Sequence, residues 1–371
     1  MLLFGCADLS KPRVRLFLAG LEAEGHELLH CNIDIWTHFR DKSQISGLFN
    51  YLTITLGWAA ATLWLSLKYL VSPKHDVVLV CYPGHLDIWP ARLLTWIRRK
   101  PLCWDAFLSA YDTVVLDRKM ASPNSFIGRL CYFVDWAACR LCDHMFLDTP
   151  AHARFFETSF KLASGSVGHV PVGAEDCFNR ETVADKKASQ AFSVLFYGQF
   201  IPLHGIPIIL EAAGMLKDTD IHFSLVGQGQ MSQWVQEWLE HRPLKNLERI
   251  EWIDYADLPT FIRSHDVCLG IFSSGDKAAR VIPNKVYQIL NSGVPLLTRQ
   301  SPAMEEFLRD NIEGVTTVLP ENPVALKEAL LGLQKQWQAG SLTLPSPALV
   351  TSASNVGAAA SRELMKTCGN N

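Results

Sequence analysis

Cationic side chains lie beside a predicted helix start in the stretch Arg280 to Thr298, which reads RVIPNKVYQILNSGVPLLT. Asn284 is placed to cap this helix, and Lys285 and Gln288 fall on one face of it, one turn apart. A helix N-terminus offers unpaired backbone N–H groups and the positive end of the macrodipole, and Arg280 and Lys285 add formal charge. The stretch therefore predicts a binding site for an anion.

Three glycine-bearing loops are each predicted to follow a strand in the second half of the chain. They contain Gly198 with Gly205, Gly227 with Gly229, and Gly275. Glycine lets the backbone approach a phosphate closely, and a helix start after the loop supplies N–H donors. A tight strand-to-helix turn also selects glycine, so each loop alone has a structural interpretation. Three such loops in one domain, with Lys277 beside the last one, favour a diphosphate ligand.

Other classes of site lack their motifs. The sequence has no GxxxxGK[ST] loop, no complete GxGxxG and no GxSxG. The close cysteine pair Cys139 and Cys142 falls in an apolar helical run with Trp136 and Leu141, so we expect core packing rather than metal binding. We therefore predict no metal ion and no cofactor.

The composition is that of a globular protein of two domains. Of the 371 residues, 49% are hydrophobic and 19% are charged, which allows a large core. The net charge of -3 gives no support for nucleic-acid binding. Met1 leads straight into a strand-like segment with no signal peptide before it, so we expect a cytoplasmic location.

Apolar runs that alternate with helical segments predict a parallel sheet in the first half of the chain. The expected strands are Leu2–Cys6, His26–Ile33, Asp76–Tyr82, Pro101–Phe107 and Asp143–Thr149. Loops that leave such strands face the ligand crevice. His85 and Asp87 follow the third strand, Asp105 lies near the end of the fourth, and Asp112 comes shortly after. Asp105 is our first choice for a carboxylate that accepts a hydroxyl proton, with His85 as a second catalytic candidate. A capping or loop hydrogen bond remains an alternative for each of the four.

The polar segment Asn179 to Gln190 separates two halves that both follow the α/β rhythm. We assign residues 1–178 to an N-terminal Rossmann-like domain and residues 191–340 to a C-terminal one. A final helix over residues 353–367 is expected to pack on the first domain. The predicted fold class is α/β, with the two Rossmann-like domains facing a cleft.

Leu52 to Val71 interrupts this rhythm, because Lys68 is the only charged residue in an otherwise mostly apolar segment. The segment is long enough to span a bilayer, but a span would separate the first two strands from their own sheet. A buried helix and a helix at the membrane interface are the other two interpretations. Trp58 and Trp64 slightly favour the interfacial one.

Three of these segments carry a resemblance to a known family. FYGQFIPLHGI (Phe196 to Ile206), LVGQGQ (Leu225 to Gln230) and VIPNKVYQILNSGVPLLT (Val281 to Thr298) resemble, in order and spacing, the C-terminal domain of retaining GT-B glycosyltransferases. VPVGAEDCF (Val170 to Phe178) resembles the segment that joins the two domains in that family. The resemblance is specific over about Ser193 to Leu331 and looser before it.

The resemblance implies a nucleotide-sugar donor, such as a UDP- or GDP-sugar, held mainly by the second domain. It implies an acceptor glycan or lipid-linked glycan held mainly by the first domain. Carried onto this chain, the donor-binding positions are Gly198, Gln199, His204, Gly205, Gly227, Gly229, Lys277, Arg280, Asn284, Lys285 and Gln288. The reaction needs stabilisation of a departing diphosphate, which fixed cations and a helix N-terminus provide without a metal.

The chain departs from the family pattern at four of these positions. Gln199 and His204 stand where the family has an arginine and a lysine, and Arg280 and Gln288 stand near positions that are usually acidic. We predict a retaining, metal-independent glycosyltransferase in the cytoplasm, with peripheral contact to the membrane and a cell-envelope glycan or glycolipid as product. Two alternatives stay open: a nucleotide-sugar epimerase, and a catalytically silent nucleotide-sugar binder associated with the membrane.

Overall fold

The structure, a computed structural model, describes residues 1–36, 48–179, 191–310, 312–345 and 353–368. The chain forms two compact units, Met1–Gly173 with Thr351–Asn371 (unit 1) and Ala174–Val350 (unit 2). Each unit contains a six-stranded sheet, and every strand pair in both sheets is parallel. Because two parallel strands need a long crossover between them, helices cover the faces of both sheets.

Unit 1 alternates strands and helices from its first residues. Its elements before the break to unit 2 are β1 (Leu2–Gly5), α1 (Pro12–Ala23), β2 (Leu29–Asn32), α2 (Leu48–Leu70), β3 (Val78–Val80), α3 (Ile88–Arg98), β4 (Leu102–Asp105), α4 (Phe126–Leu141), β5 (His144–Leu147), α5 (Pro150–Ser159) and β6 (Gly168–His169). The strand order is β2-β1-β3-β4-β5-β6, so the order changes direction between β1 and β3. In open α/β sheets ligands bind beyond the carboxyl ends of strands at such a switch point.

Unit 2 repeats this plan with a different strand order. Its elements are β7 (Phe192–Tyr197), α6 (Ile206–Met215), β8 (Ile221–Val226), α7 (Ser232–His241), β9 (Leu247–Ile250), α8 (Leu258–Arg263), β10 (Val267–Leu269), α9 (Asp276–Arg280), α10 (Asn284–Asn291), β11 (Leu296–Arg299), α11 (Pro302–Phe307), β12 (Val315–Val318) and α12 (Pro323–Gln338). The strand order β12-β11-β10-β7-β8-β9 changes direction between β7 and β10. The loops after β7 and β10 therefore leave the sheet at the switch point.

The last helix, α13 (Ala353–Cys368), belongs to unit 1 and packs along α1. A Cβ atom added to Gly357 of α13 would lie 2.0 Å from the carbonyl oxygen of Gly20 in α1. Glycine at this position therefore allows the two helix backbones to approach each other. Val356 and Leu364 of α13 complete the apolar layer on this side of the sheet.

The predicted α/β architecture with two parallel sheets is confirmed. The sequence reasoning did not identify β12, an edge strand of four residues that pairs with β11. It also placed Asn284 at the N-cap of α10, whereas Pro283 occupies the N-cap and Asn284 is the first helical residue.

The apolar helix α2 is neither fully buried nor a membrane span. Its residues Ala61, Leu65 and Tyr69 are buried in the core of unit 1. The opposite stripe is exposed, with Leu63 66% and Trp64 63% accessible. Within the described ranges, no helix is long and apolar enough to cross a membrane.

The cysteine pair in α4 lies where core packing was expected. Cys139 is buried in the core of unit 1 and Cys142 packs against it. Burial raises the pKa of both thiols above the usual range of cysteine. Over the part of the chain that the structure describes, histidine, cysteine, aspartate and glutamate side chains form no group of three that could hold a metal ion.

Candidate functional site

Backbone hydrogen bonds connect the three loops that follow β7, β8 and β10 of unit 2. The amide of Phe200 donates to the carbonyl of Gln228 over 2.9 Å, and the amide of Met231 donates to the carbonyl of Phe200 over 2.8 Å. The amide of Phe272 donates to the carbonyl of His204 over 3.1 Å. Because each loop satisfies backbone groups of another, the three form one rigid cluster at the carboxyl edge of the sheet.

Glycine is required in this cluster by close approach. A Cβ atom at Gly227 would lie 1.9 Å from the carbonyl oxygen of Gly198, and one at Gly229 would lie 2.8 Å from the amide nitrogen of Phe200. Gly205 has φ of 68° and a Cβ there would lie 2.6 Å from the amide nitrogen of Ser273. These glycines therefore serve the packing of one loop on another. That is compatible with a phosphate cradle without being specific to it.

Lys285, at the start of α10, places its ammonium group against the first of these loops. A Cβ atom at Gly198 would lie 3.0 Å from Nζ of Lys285, and Nζ lies 3.8 Å from the centroid of the Phe196 ring. Lys285 is only 5% exposed, and within the described residues Nζ has no hydrogen-bond partner. Burial lowers the pKa of Lys285 well below its usual value. An unpaired buried cation is costly, so an anionic ligand at this point would gain more than it would at the surface.

His204 lies beside Lys285, at the end of a 3-10 turn that leads into α6. A Cβ atom at Gly198 would lie 3.3 Å from Cε1 of His204, and Nδ1 of His204 hydrogen-bonds to the carbonyl of Gln199. Burial, and next the charge of Lys285, lower the pKa of His204 well below its usual value. Because a carbonyl only accepts, Nδ1 carries the single N–H of the neutral ring and Nε2 is left as an acceptor. Unlike a lysine, His204 therefore adds no charge at this position.

The side chain of Gln288 is held by two tyrosines of unit 2. The hydroxyl of Tyr197 donates to Oε1 of Gln288 over 3.1 Å, and Nε2 of Gln288 donates to the hydroxyl of Tyr255 over 3.2 Å. The Tyr255 hydroxyl in turn donates to the carboxylate of Glu175. The contact with the donor that is predicted for Gln288 would have to share the amide with this network.

The remaining predicted donor residues flank the loop cluster. Lys277 and Arg280 lie on α9, which begins directly after the third loop, and Lys277 is buried. Asn284 and Gln199 are half-buried. The structure brings Gly198, His204 and Lys285 into one cluster.

Arg299 is part of this edge and was not singled out in the sequence. It is buried at the end of β11, and its Nη1 donates to the carbonyls of Ser273 and Gly275 in the third loop. Arg299 therefore holds the loop that precedes α9. An arginine at a strand end gives no signal of that role, because its acceptors are backbone carbonyls of another strand-end loop.

Asp105, the first catalytic candidate in unit 1, forms a buried ion pair. Nε and Nη2 of Arg13 donate to its two carboxylate oxygens over 3.2 and 2.9 Å. Both side chains are 0% exposed, and Nη1 of Arg13 donates to the carbonyls of Val170 and Pro171. Both oxygens of Asp105 are thus engaged away from solvent, so the carboxylate is not free to accept the proton of an acceptor hydroxyl, as the prediction required.

His85 pairs with Asp135 of α4 in the loop after β3. Nε2 of His85 lies 3.1 Å from Oδ1 of Asp135, and Nδ1 contacts the carbonyl of Pro83. Burial lowers the pKa of His85, but the hydrogen bond and charge of Asp135 outweigh burial, and the pKa is raised. With acceptors at both ring nitrogens, the imidazolium form is favoured, and His85 is suited to donate rather than to accept a proton.

The other two acidic candidates of unit 1 are buried as well. Asp87 accepts hydrogen bonds from the Cys6 amide and from Nε1 of Trp58, both over 2.8 Å. It thereby fixes α2 to the end of β1. The amide of Asp112 donates to Oγ of Ser109, which donates to Asp135. The contacts of the Asp87 carboxylate match the structural alternative that was open for it.

Comparison with solved structures defines the class of fold. The crystal structure of Anabaena Alr3699/HepE in complex with UDP-glucose superimposes with a TM-score of 0.61 and 14% identity, covering 99% of this chain and 97% of that one. The sucrose-phosphate synthase of Thermosynechococcus elongatus gives a TM-score of 0.62 at 14% identity, over 98% and 93% of the two chains. The chain has the two-domain GT-B fold.

The sequence comparisons place unit 2 in a family. Residues 191–336 match the model of the glycosyl transferases group 1, so the chain carries a domain of that family. "Putative colanic acid biosynthesis glycosyl transferase WcaI" of Escherichia coli (strain K12) is 28% identical over 144 residues, which are 37% of this chain and 35% of that protein. "Uncharacterized glycosyltransferase MJ1178" of Methanocaldococcus jannaschii is 24% identical over 139 residues, 38% of this chain and 37% of that protein. The match thus spans about a third of the length of these relatives.

Proposed function

We propose that this protein is a glycosyltransferase that moves a sugar from a nucleotide-sugar donor to an acceptor hydroxyl. The observation that carries the proposal is the ammonium of Lys285, which is buried and lacks a hydrogen-bond partner among the described residues. It lies against Gly198 at the sheet's switch point, where α/β folds bind their ligands. A diphosphate supplies the missing counter-charge there.

The donor is proposed to be a UDP- or GDP-sugar, with its diphosphate at Lys285 and the start of α10. The relevant chemistry is stabilisation of negative charge on the leaving diphosphate. Lys285 supplies an amine whose charged form a bound diphosphate favours, and α10 supplies the positive end of a helix dipole. His204 lines the site as a neutral ring. These groups need no metal ion to perform that task, and the reaction is proposed to retain the anomeric configuration, as the family resemblance implies.

The acceptor is proposed to be a glycan or lipid-linked glycan of the cell envelope. One relative is named for colanic acid biosynthesis, which supports this class of product. A cytoplasmic location with peripheral membrane contact is proposed together with it. His85 is the residue of unit 1 proposed to hydrogen-bond the acceptor or the sugar, and the ligand would have to replace Asp135 or the Pro83 carbonyl at one of its ring nitrogens.

Calorimetric titration with UDP, GDP and the corresponding nucleosides tests the diphosphate site. Lys285→Met should weaken binding of the nucleoside diphosphate at least about tenfold, since a charge-assisted hydrogen bond is lost, and should leave nucleoside binding unchanged. Lys245→Met is the matched control, because Lys245 is an exposed lysine of the same unit. Equal loss of nucleoside and diphosphate affinity would refute the role of Lys285.

A second candidate function is a catalytically silent nucleotide-sugar binder. The observation that favours it is Gln288, whose amide is engaged by Tyr197 and Tyr255 near a position where the family carries an acid. Incubation of a donor panel with cell-envelope extract separates the candidates. Nucleotide release only with acceptor supports transfer, release or sugar conversion without acceptor supports an epimerase, and binding without turnover supports the silent binder.

A further inference from the structure

The helices α2, α3 and α4 of unit 1 expose large apolar side chains to solvent. Leu63 of α2 is 66% exposed, Trp96 of α3 is 76% exposed and Phe126 of α4 is 80% exposed. Trp64, Leu93 and Phe133 are exposed as well, and these six residues define what we call the apolar face. Single exposed apolar residues are ordinary, but large contiguous patches mark interaction sites.

The apolar face is carried by three helices that pack on one another. α3 packs against both α2 and α4. The ring centroids of Trp89 and Phe133 are 6.2 Å apart and link α3 to α4, and those of Phe133 and Trp136 are 6.1 Å apart along α4. The buried stripes of the same helices already fill the core, with Leu65, Leu94 and Ala138 as examples. The exposed stripes are therefore an additional apolar surface that the fold of unit 1 does not need.

The exposed charges on these helices are all positive. The cations of α2, α3 and α4 are Lys68, Arg92, Arg98, Arg129 and Arg140. The single carboxylate of the three helices, Asp135, is 0% exposed. The chain as a whole has a net charge of -3, so the positive sign is local to this side of unit 1.

A basic cavity lies at one edge of the apolar face. Trp96, a member of the face, lines this cavity of about 620 Å³ together with Arg99 and Lys100. Arg99 and Lys100 follow directly after the last turn of α3. Cations therefore stand at the level where an apolar surface would meet phosphate headgroups.

We propose that the apolar face docks this protein on the surface of a lipid bilayer that contains anionic lipids. Apolar side chains enter the boundary between headgroups and acyl chains, tryptophan prefers that boundary, and lysine and arginine are drawn to anionic headgroups. The exposed side chains of the three helices include apolar and aromatic ones, and the exposed charged ones are cationic, which matches such a membrane; Asp143 beside α4 is paired with Arg92. The inference deepens the peripheral membrane contact of the proposed function and names the surface that makes it.

Vesicle flotation of the full-length protein tests the proposal. The vesicles contain phosphatidylcholine alone or with about 30 mol % phosphatidylglycerol, whose headgroup is anionic. The test variant Leu63→Glu/Leu93→Glu/Phe126→Glu adds one carboxylate to each helix. The control variant Met215→Glu/Leu319→Glu/Val324→Glu adds three carboxylates at exposed apolar positions of unit 2. A third variant, Arg99→Glu/Arg129→Glu, changes the charge and keeps the apolar residues.

The wild type and the control should float with the anionic vesicles, and about tenfold less with the neutral ones, because two or more cations contribute. The test variant should stay in the soluble fraction, and the charge variant should lose its preference for anionic vesicles.

The proposal is overturned if the wild type binds neither type of vesicle, or if the test variant floats like the wild type. It is also overturned if light scattering shows that a second copy covers the face. UDP binding, measured in parallel, should be the same in all variants, so its failure would count against the donor site and not against docking.

Discussion

The polar residues of the two units differ in how their charges are paired. In unit 1, Asp105 is matched by Arg13, and His85 is matched by Asp135, each within the fold. In unit 2, the ammonium of Lys285 rests on an aromatic ring with no hydrogen-bond partner among the described residues. A buried charge that has a partner of opposite charge in the fold can be purely structural. A buried charge without such a partner indicates a ligand. The comparison therefore places the stronger candidate site in unit 2.

The largest effect is expected for the paired charges of unit 1. Asp105→Ala leaves the guanidinium of Arg13 buried without its carboxylate, so the free energy of unfolding of unit 1 should fall by about 3–5 kcal/mol. Hydrogen exchange of the amides of unit 1 measures this change. Arg92→Ala is the control, because the pair of Arg92 with Asp143 is about one-third exposed and should contribute less than about 1 kcal/mol. Unchanged stability of Asp105→Ala would remove the structural role and return Asp105 to the catalytic candidates.

The second prediction concerns Lys285 of unit 2, whose ammonium group has no hydrogen-bond partner among the described residues. Lys285→Met removes a buried charge but keeps a side chain of similar length, so unit 2 should not lose stability while UDP affinity falls about ten- to a hundredfold. Thermal unfolding with and without UDP measures both effects on one sample. If the variant unfolds at a much lower temperature even without UDP, Lys285 contributes to the fold, and the contrast between the two units disappears.

Proton uptake when UDP binds should further distinguish Lys285 from the paired charges of unit 1. The folded-state pKa of Lys285 lies well below 10.5, so between these values the lysine is largely neutral in the free protein. A bound diphosphate favours the charged form and raises this pKa, so binding should take up at most about one proton at a pH between the pKa of the free protein and that of the complex. Calorimetry in two buffers of different ionisation enthalpy counts the protons. The uptake should vanish in Lys285→Met and persist in Lys245→Met; uptake that survives in Lys285→Met would assign it to another group.

The smallest effect is expected from His85. Its folded-state pKa is raised above 6.5, so its contribution to stability is fully present below pH 6.5 and is lost as the pH rises through the folded pKa. Replacing its partner by Asp135→Asn should lower the pKa of His85 and flatten this part of the pH–stability curve. The His85 ring signal in an NMR titration reports the pKa directly, and a titration midpoint unchanged from wild type would contradict the pairing.

The sequence predicted the elements and the strand-end positions well, because those depend on local patterns. The alternation of strands and helices gave two parallel sheets, and the glycine loops with Lys285 lie at the carboxyl edge of the second sheet. The edge strand β12 was missed, since four residues with two threonines carry little apolar signal.

The hydrogen-bond partners of the site residues could not be predicted from the sequence. Asp105 meets an arginine 92 positions earlier, and Gln288 meets a tyrosine 91 positions earlier. No spacing rule connects residues so far apart; the fold alone brings them together. The sequence could therefore name Asp105 and Gln288 as polar residues in suitable places, but it could not show that their hydrogen-bonding groups are already engaged.

The return of α13 to unit 1 has a consequence for the order of synthesis. Gly357 and the apolar residues around it cover α1, but the ribosome makes them after all of unit 2. At about 5–20 residues per second, the nascent unit 1 waits on the order of 10–35 s for its last helix. During that interval the apolar layer that α1 forms with the sheet lacks the side chains of α13. Unit 2 has its whole segment available earlier, so the domain that is translated first is the domain that is completed last.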